Sequence, residues 1–341
     1  MTGGAGTSGL SLIFVHRIYY MLSYITRRLL QGIIVLLGVS IISFVVFQYL
    51  GDPVLSIVGK NATQKQIEEV REELNLNEPV HIQYLLFLKD AVRGQFGKSY
   101  VKERPALGLI MARFPATFEL ASTAIIIAVT LGVTLGVFVS IKPKSFLSRM
   151  IMAGSLFGIS IPTFLTGLIL ILLFAVVFGI LPPFGRGETV TLGFWRTGFL
   201  TVSGWKHLVL PAFTLGMYSL AMLLRLTKAE MIEVLGEDYI KTARAKGLRS
   251  STVIFKHALR NGLAPVLTMA GLQFGQLIAF AIITETIFQW PGMGRLLLSS
   301  IYNNDRPIIV TYIILASIVI LLLNLLVDIL YAFLDPKVQY D

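Results

Sequence analysis

Hydrophobic residues occur along the chain in long runs that contain no Asp, Glu, Lys or Arg. A helix that crosses a bilayer needs about 20 consecutive apolar residues. Pro162, inside the longest of these runs, is expected to bend or break a helix there. That run is too long for one straight span and too short for two spans with a turn. Six runs approach or exceed the length of a span, and they predict six membrane-spanning helices: Leu29–Gly51, Leu120–Ile141, Met150–Gly185, Leu208–Leu224, Asn261–Thr284 and Pro307–Val327.

Positive charge between the runs indicates an orientation. The loops on one side of the predicted bundle hold 15 Lys or Arg residues, and the two short loops on the other side hold 5. Cytoplasmic loops of membrane proteins carry the excess of Lys and Arg, and an even number of spans places both ends of the chain on one side. We therefore expect an all-α integral membrane protein with six transmembrane helices and both termini cytoplasmic.

Residues 51–119, called the polar segment below, are the longest polar region between predicted spans. Thr63 and Gln66 have the spacing of a capping box before an apolar repeat of helical period, and Pro79 opens a second short amphipathic stretch. The segment is too short for a large receptor domain. We expect a small helical lid on the extracytoplasmic side, between helices 1 and 2.

The N-terminus begins with the small residues MTGGAGTSGL, and Met21 opens the stretch that leads into the first apolar run. We expect residues 1–20 to form a flexible N-terminal extension and residues 21–341 to form the transmembrane domain.

Composition excludes several classes of function. The chain has 341 residues, 55% of them hydrophobic and 14% charged, with a mean hydropathy of +0.76 and a formal net charge of +10. A soluble domain needs more polar surface than this, and no soluble basic domain is present to hold nucleic acid. The absence of cysteine excludes disulfides and thiol chemistry, and the four histidines lack metal-site spacing, so no metal site is expected.

The stretch GQFGKS, Gly94–Ser99, ends like a phosphate-binding loop but does not match one. Such a loop needs a glycine five residues before its second glycine, and Val92 stands at that position. The chain therefore shows no ATP-hydrolysing apparatus of its own.

Small residues inside the runs predict close helix packing, and polar residues in or beside the runs are candidates to line a substrate pathway. Gly132–Gly136 and Gly271–Gly275 are GxxxG pairs, for which we expect close helix packing within this chain rather than at a subunit interface. Polar residues in spans are costly unless they face protein or water. Gln273, Gln276 and Glu285 are therefore candidates to line a substrate pathway, although Glu285 also lies near a span end where water is close.

Residues 225–262, called the basic loop below, hold eight Lys or Arg residues between two apolar runs. Helix formers fill Thr227–Lys246, Gly247 supplies a C-terminal stop, and Ser250 or Ser251 can cap a second helix. We call this helix–glycine–helix bend the elbow. A solvated cytoplasmic loop explains the cations but not the small side chains at the crest of the elbow, which would permit close approach by a docking partner: Thr242, Ala243 and Ala245.

The same residues resemble a signature of bacterial ABC importers. Their membrane subunits carry a Glu-Ala-Ala motif, three further residues and a glycine; Ala243 matches the second alanine and Gly247 the glycine, while Lys241 and Thr242 replace Glu and the first Ala. This form is typical of the dipeptide, oligopeptide and nickel branch. From Met21 onward the chain resembles its B-type permease subunit, through the ordered fragments GDP, GQFGKS, YIKTARAKGL, HALRNGLAP, ETIFQWPGMGRLL and NLLVDILYAFLDP.

The resemblance implies a larger machine in the bacterial inner membrane. A homologous C-type permease, two ABC ATPase subunits that bind ATP and Mg²⁺, and an extracytoplasmic solute-binding protein are the implied partners; the binding protein would contact the lid. The chain itself would carry no cofactor and no catalysis. The elbow, between helices 4 and 5, would be the coupling helix seated on an ATPase, with these coupling residues: Asp238, Tyr239, Thr242, Ala243, Ala245, Gly247 and Leu248.

The implied cargo is di- or oligopeptides, with nickel chelates, opines, glutathione or oligosaccharides as alternatives served by the same machinery. The family often has an Arg-Asp pair before the last span, where this chain has Asn304-Asp305-Arg306-Pro307, and no function is assigned to these residues. Two other classes fit less well. A secondary transporter would place acidic residues deep in its spans, and a membrane-embedded enzyme would need a nucleophile, base or metal constellation.

Overall fold

The computed structural model describes residues 7–49, 54, 58, 63–73 and 75–334, and for residues 7–25, 49, 73 and 330–334 it describes the backbone alone. The helices in chain order are α1 (Thr7–Tyr49), α2 (Gln64–Glu73), α3 (Val80–Val92), α4 (Ala106–Ile141), α5 (Phe146–Ser160), α6 (Thr163–Leu170), α7 (Val202–Gly236), α8 (Asp238–Ala245), α9 (Leu259–Ala279), α10 (Ile282–Ile287), α11 (Met293–Tyr302) and α12 (Arg306–Leu334).

Two π-helical turns and one hairpin complete the described structure. The turn π1 (Ile171–Val177) continues α6, and π2 (Thr252–Ala258) leads directly into α9. Strands β1 (Val190–Leu192) and β2 (Trp195–Thr197) pair in antiparallel fashion. The described part of the chain is therefore mainly helical, as predicted, with a short hairpin that the hydrophobic pattern did not predict.

In the part of the chain that the structure describes, five helices are long and apolar enough to cross a membrane, and a bent pair gives a sixth if it counts as one span. The pair is α5 with α6 and π1, and the two parts meet at 115° across Ile161–Pro162. Pro162 has no backbone N–H, so it cannot continue the hydrogen bonds of α5 and instead precedes the first residue of α6. The predicted break in the longest apolar run is confirmed.

Glycines allow two long neighbouring helices, α4 and α7, to pack closely against each other. A Cβ at Gly136 would lie 2.6 Å from the Thr227 Cβ, and one at Gly132 would lie 3.1 Å from the Leu223 Cβ. In the second GxxxG pair, a Cβ at Gly271 would overlap Val327 of α12. The prediction that these motifs pack helices within the chain is confirmed.

The first and last long helices lie side by side. Arg28 Nε of α1 is 3.1 Å from Asp328 Oδ2 of α12, so an ion pair joins the middle of α1 to the last two turns of α12. The backbone of α1 extends back to Thr7, whereas residues 1–6 lie outside the described residues. A flexible extension over residues 1–20 therefore stays a prediction.

The polar segment contains two short helices, and both begin at the residues that the sequence predicts. Thr63 N donates to Gln66 Oε1 (3.0 Å) and Gln66 N donates to Thr63 Oγ1 (3.4 Å), which confirms the capping box before α2. α3 follows Pro79 and packs on α1, where Tyr84 meets Phe44 edge-on with ring centroids 5.5 Å apart. The segment is therefore fastened to the end of the first span.

The hairpin is fastened to α4. Gly193 and Phe194 form its two-residue turn, and Gly193 has φ +62°, a conformation that favours glycine. Trp195 packs edge-on against Phe114 and Phe118 of α4, with centroid distances of 6.0 and 5.7 Å. This contact brings the loop that carries Arg186 and Arg196 over the first half of α4.

Candidate functional site

The elbow is built from a short helix held between two turns. α7 ends at Gly236, Glu237 is extended, and α8 begins at Asp238. The sequence prediction of one helix over Thr227–Lys246 is therefore wrong at Glu237, whose extended backbone interrupts the hydrogen-bond ladder. The eight residues Asp238–Ala245 therefore form a helix separate from α7.

Gly247 ends α8 as predicted. It has φ +76°, its N–H donates to the Arg244 carbonyl at 2.9 Å, and the Leu248 N–H donates to the Ala243 carbonyl at 3.4 Å. These two bonds form a Schellman motif, which satisfies carbonyls that the helix end leaves free. The second helix of the elbow then starts through π2, and Ser251 before it makes no side-chain capping bond.

α8 presents two different faces. Ile240 and Ala243 are buried in a cluster with residues from α4, α7 and π2: Val137, Met231, Val253 and Ala258. Five of the predicted coupling side chains lie on the exposed face: Asp238, Tyr239, Thr242, Ala245 and Leu248. Ala243, which the sequence analysis placed at the crest with Thr242 and Ala245, instead seats the helix on the bundle.

Polar bonds fix the exposed face. Asn261 Nδ2, at the start of α9, donates to Tyr239 Oη at 2.8 Å, and Lys241 Nζ lies 2.8 Å from Asp238 Oδ1. Tyr239 and Leu248 keep 41% and 42% of their surface exposed, which leaves apolar groups available beside the cations. A short, rigidly held helix with apolar, small and cationic side chains outward is suited to docking, and it carries no arrangement for covalent chemistry.

The three pathway candidates lie in different surroundings. Gln273 is buried, where Oε1 accepts from Ser219 Oγ at 3.2 Å and Nε2 lies 3.3 Å from Met222 Sδ. Gln276 is exposed on α9. The structure does not bring them together with Glu285, and only the Gln276 side chain is available to line an open route in this conformation. Pathway roles for all three stay predictions.

Glu285 is fully buried and organises a helix start. Its carboxylate accepts from Thr117 Oγ1 of α4 at 2.6 Å and from the Arg295 N–H of α11 at 2.9 Å. Thr117 Oγ1 in turn accepts from the Met293 N–H at 2.8 Å. A carboxylate is stabilised at a helix N-terminus, where free N–H groups carry partial positive charge. Glu285 thus joins α10, α11 and α4.

A buried ion pair that the sequence did not indicate fixes the hairpin loop. Arg186 Nη2 lies 2.6 Å from Glu119 Oε2, and the side chains are 9% and 1% exposed. Glu119 also accepts from the Gly198 N–H at 3.2 Å, Arg186 donates to the Arg196 carbonyl at 2.6 Å, and the guanidinium lies 5.8 Å from the centre of the Trp290 ring. The partners are far apart in sequence, so no local spacing could have found them.

The stretch GQFGKS contacts a residue that is distant in sequence, Asp305. Ser99 Oγ donates to Asp305 Oδ2, and the Tyr100 N–H donates to Asp305 Oδ1 at 3.1 Å. An acidic partner at Ser99 is incompatible with a phosphate-binding loop. Burial raises the pKa of Tyr100 to about 12, with Arg306 lowering and Asp305 raising it, so its phenol is uncharged at neutral pH.

Arg306 links the Ser99–Asp305 contact, which anchors the polar segment, to the first span. It is buried beside Asp305, and its Nη1 donates to the Phe47 carbonyl of α1 at 3.1 Å. Asp305 and Arg306, to which the sequence assigned no function, thus join the polar segment, α1 and the start of α12. Among the residues that the structure describes, no group of three His, Asp or Glu side chains is placed to hold a metal ion.

Comparison with known proteins identifies the family. A family model described as "Binding-protein-dependent transport system inner membrane component" matches residues 132–340. The chain belongs to this family. Residues 21–121 match a companion model described as "Binding-prot-dependent transport system membrane comp, N-term". The chain is therefore an inner-membrane permease component of a transport system rather than an enzyme, as the resemblance implied.

Curated relatives cover almost the whole chain. The chain is 40% identical over 333 residues to the dipeptide transport system permease protein DppB of Alkalihalophilus pseudofirmus, a match that covers 94% of this chain and all of that protein. It is 39% identical over 321 residues to the glutathione transport system permease protein GsiC of Escherichia coli K12, with the same coverage.

A solved structure shares the fold. The chain superposes on a chain of the inward-facing MetNI methionine ABC transporter with a TM-score of 0.53 and 16% identity, covering 67% of this chain and 96% of the other. At this identity the likeness concerns the fold alone, which is that of an ABC transporter permease.

Proposed function

We propose that this permease is the B-type membrane subunit of an ATP-driven importer and forms half of its translocation pathway. The observation that carries the proposal is the elbow, where Ile240 and Ala243 seat α8 on the bundle and Tyr239 and Thr242 face outward. An element fixed on one face and exposed on the other can receive a partner and pass its movement to the helices beneath. Family membership supports the same function.

The proposed partners are a homologous C-type permease, two ABC ATPase subunits and an extracytoplasmic solute-binding protein. The exposed face of α8 fits a groove of one ATPase, and ATP and Mg²⁺ belong to the ATPases. Closure of the ATPases would move the elbows and shift the permeases between inward-facing and outward-facing states, a two-state equilibrium biased from both sides of the membrane.

The proposed topology has six spans, with α5, α6 and π1 together forming the bent third span. Both termini and the basic loop are cytoplasmic, and the polar segment lies outside. The distribution of Lys and Arg supports this orientation, because positive residues are enriched in short cytoplasmic loops. The anchors at Ser99 and Arg306 then hold the polar segment on the outer ends of α1 and α12, where a loaded binding protein can contact it.

The proposed cargo is di- or oligopeptides. Relatives of similar identity are named for dipeptide and for glutathione transport, and both are short peptides with free carboxylates. Nickel chelates, opines and oligosaccharides are alternatives for the same machinery. Competition for uptake of a labelled dipeptide by glutathione, other peptides and these alternatives, with the cognate binding protein present, would decide among them.

A pull-down in mild detergent followed by mass spectrometry tests the partners. We expect a second permease and ATPase subunits in stoichiometric amounts. Recovery of this chain alone, still active in uptake after reconstitution, would contradict the importer proposal. The chain contains no cysteine, so Thr242→Cys places a unique thiol on the exposed face of α8. A thiol-to-amine cross-linker should join it to an ATPase subunit.

Lys102→Cys provides the matched control, because Lys102 is exposed in the polar segment. It should not cross-link to an ATPase. In spheroplasts a membrane-impermeant thiol reagent should label Lys102→Cys, whereas Thr242→Cys should react only after permeabilisation. Labelling of Thr242→Cys from outside would overturn the proposed orientation.

A further inference from the structure

The face of α7 opposite α4 exposes a polar side chain at mid-span. Contact with α4 defines one side of α7, because a Cβ at Gly216 would lie 2.6 Å from the Ala124 carbonyl oxygen. Successive residues of a helix are about 100° apart, so Tyr218 is rotated about 200° from Gly216 and points away from α4. Its side chain is 49% exposed. Gly216 is the centre of the charge-free run 208–224, which places the Tyr218 phenol near the middle of the membrane.

α9 exposes a polar side chain in the same way. Phe274 of α9 packs against Phe118 of α4, with ring centroids 5.8 Å apart, and this contact defines the side of α9 that faces α4. Gln276 follows two residues later, so it is also rotated about 200° from the α4 side, and it is exposed. Both helices therefore direct a polar side chain away from α4.

A buried hydrogen bond sets the two helices side by side and fixes their relative level. Ser219 Oγ of α7 donates to Gln273 Oε1 of α9 at 3.2 Å. Tyr218 is one residue from Ser219, and Gln276 is three residues from Gln273. At a rise of 1.5 Å per residue, both lie within about 5 Å of the level of this bond. Tyr218 and Gln276 thus share one exposed surface, at similar depth.

This surface differs from one that faces lipid, where exposed polar groups are costly. α1 has the pattern of a lipid-facing helix, because Ser40 and Ser43 are buried. Its exposed large side chains between residues 32 and 47 are all aliphatic: Ile33, Ile34, Val35, Leu37, Ile41, Ile42 and Val45. Tyr218 and Gln276 are instead exposed, and neither side chain has a hydrogen-bond partner among the described residues. Water or a polar cargo suits this surface better than lipid.

The chemistry of the surface is neutral. Residues 208–224 and 261–284 contain no charged side chain, so nothing on the two helices at this level selects a charged group. A phenol donates and accepts one hydrogen bond each, and the amide of glutamine has two donors and an acceptor. A peptide group presents one N–H and one C=O, and a glutamine amide can pair with both. Met222 and Leu272, one turn from the polar pair on the same faces, add apolar contact.

We propose that Tyr218 and Gln276 line the cargo route and hydrogen-bond the main-chain amide of a peptide as it crosses the middle of the membrane. Main-chain groups are common to all peptides, so this contact serves cargo with different side chains. The inference rests on the proposed importer function and assigns the part of the peptide that the route recognises.

Water access is tested first, with single cysteines in a chain that has none. The complete transporter in nanodiscs is treated with a charged, water-soluble thiosulfonate, with and without ATP, and modification of this chain is measured by mass spectrometry. Tyr218→Cys and Gln276→Cys should react at least about tenfold faster than Ile34→Cys on α1, because thiols react as thiolates in water. If neither reacted faster than Ile34→Cys in either condition, lipid or the second permease would cover this face, and the proposal would be overturned.

Recognition of the main chain is tested by uptake into proteoliposomes, with the cognate binding protein present. The probes are alanyl-alanine and alanyl-N-methylalanine, which lacks the amide N–H. Gln276→Leu should lower uptake of alanyl-alanine about two- to tenfold, and the preference for the unmethylated peptide should shrink by a similar factor. Any preference of the binding protein is the same in both transporters and cancels in this comparison. Tyr218→Phe should also lower uptake about two- to tenfold, and Ile34→Ala should transport both peptides as the wild type does.

A merely structural role predicts a different result. In that case Gln276→Leu would lower uptake of both peptides by one factor and keep the wild-type preference, which would overturn the proposal. Co-purification of the ATPase subunits with each variant shows that the complex is assembled. If the wild-type complex imported no peptide, the proposed cargo itself would be wrong, and this result is distinct from an unchanged preference in a working importer.

Discussion

Arg186 Nη2 lies 2.6 Å from Glu119 Oε2, in a buried ion pair that joins the hairpin loop to α4 across 67 residues of sequence. In the described residues, Glu119 Oε1 and Arg186 Nε have no hydrogen-bond partner. Breaking a buried pair leaves an uncompensated charge and typically costs about 3–5 kcal/mol. We expect Glu119→Gln to lower the stability of the assembled permease by about this amount, measured by thermal unfolding of the purified complex.

Two controls make the measurement specific. Replacing both partners, in Glu119→Leu/Arg186→Met, should be less damaging than Glu119→Gln because it leaves no buried charge. Asp238→Asn breaks the exposed pair with Lys241 and should change stability by about 0–1 kcal/mol. Equal losses in the buried and exposed single variants would show that the Glu119–Arg186 pair is not a stabilising anchor.

The Ser99–Asp305 bond predicts how the polar segment can be loosened. Ser99→Ala removes the hydroxyl that Asp305 accepts from and leaves a buried carboxylate less satisfied, at a cost of about 1–3 kcal/mol. We expect faster amide hydrogen exchange in residues 94–105, measured on the intact complex. Ser251→Ala is the control, because Ser251 makes no side-chain capping bond. Unchanged exchange in Ser99→Ala would contradict the anchoring role.

The second GxxxG pair offers a matched test of helix packing. A Cβ at Gly271 would overlap Val327, whereas the nearest atoms to a Cβ at Gly275 are 3.8 Å away. Gly271→Ala should therefore destabilise the permease by about 1–3 kcal/mol through overpacking. Gly275→Ala should be close to neutral in the same thermal unfolding assay. The reverse order would mean that α9 and α12 do not pack as described.

Gly247 and Gly236 bracket α8 and differ in backbone conformation. Gly247 has φ +76°, and Gly236 is not among the residues with positive φ. A side chain at Gly247 costs about 1–2 kcal/mol, and proline, restricted to φ near −65°, cannot fit. We expect Gly247→Ala to reduce uptake and Gly247→Pro to abolish it while the chain stays in the membrane. Gly236→Ala should transport normally. Normal uptake by Gly247→Pro would contradict the docking role of the elbow.

Much of the fold follows from local patterns in the sequence. Charge-free runs predict the spans because lipid tolerates few charges, and Pro162 predicts the bend because it removes a helical hydrogen bond. The Thr63–Gln66 capping box and the helix end at Gly247 are short-range signals, and both are found where predicted. Each of these features depends on residues within a few positions of one another.

The anchors depend on tertiary contacts and could not be predicted in this way. Asp305 meets Ser99 and Arg186 meets Glu119 only after the helices have packed, and nothing in their spacing specifies the partner. The break at Gly236–Glu237 was missed because good helix formers stand on both sides of it. The sequence analysis placed Ala243 on the outward face because a small side chain suits both docking and close helix packing. The structure distinguishes these two roles, because Ala243 is buried beside Ile240.

Asn261 joins the elbow to α9 through Tyr239, and this bond predicts how movement is transmitted. Tyr239→Phe keeps the ring and removes the hydroxyl, while Asn261→Ala removes the donor from the other side. A hydrogen bond worth about 0.5–1.5 kcal/mol should change the ratio of substrate uptake to ATP hydrolysis about two- to tenfold, measured in proteoliposomes. Because both variants break one bond, the double variant should be no worse than either single variant. Fully additive losses would instead mean that Tyr239 acts through an ATPase contact of its own, independent of Asn261.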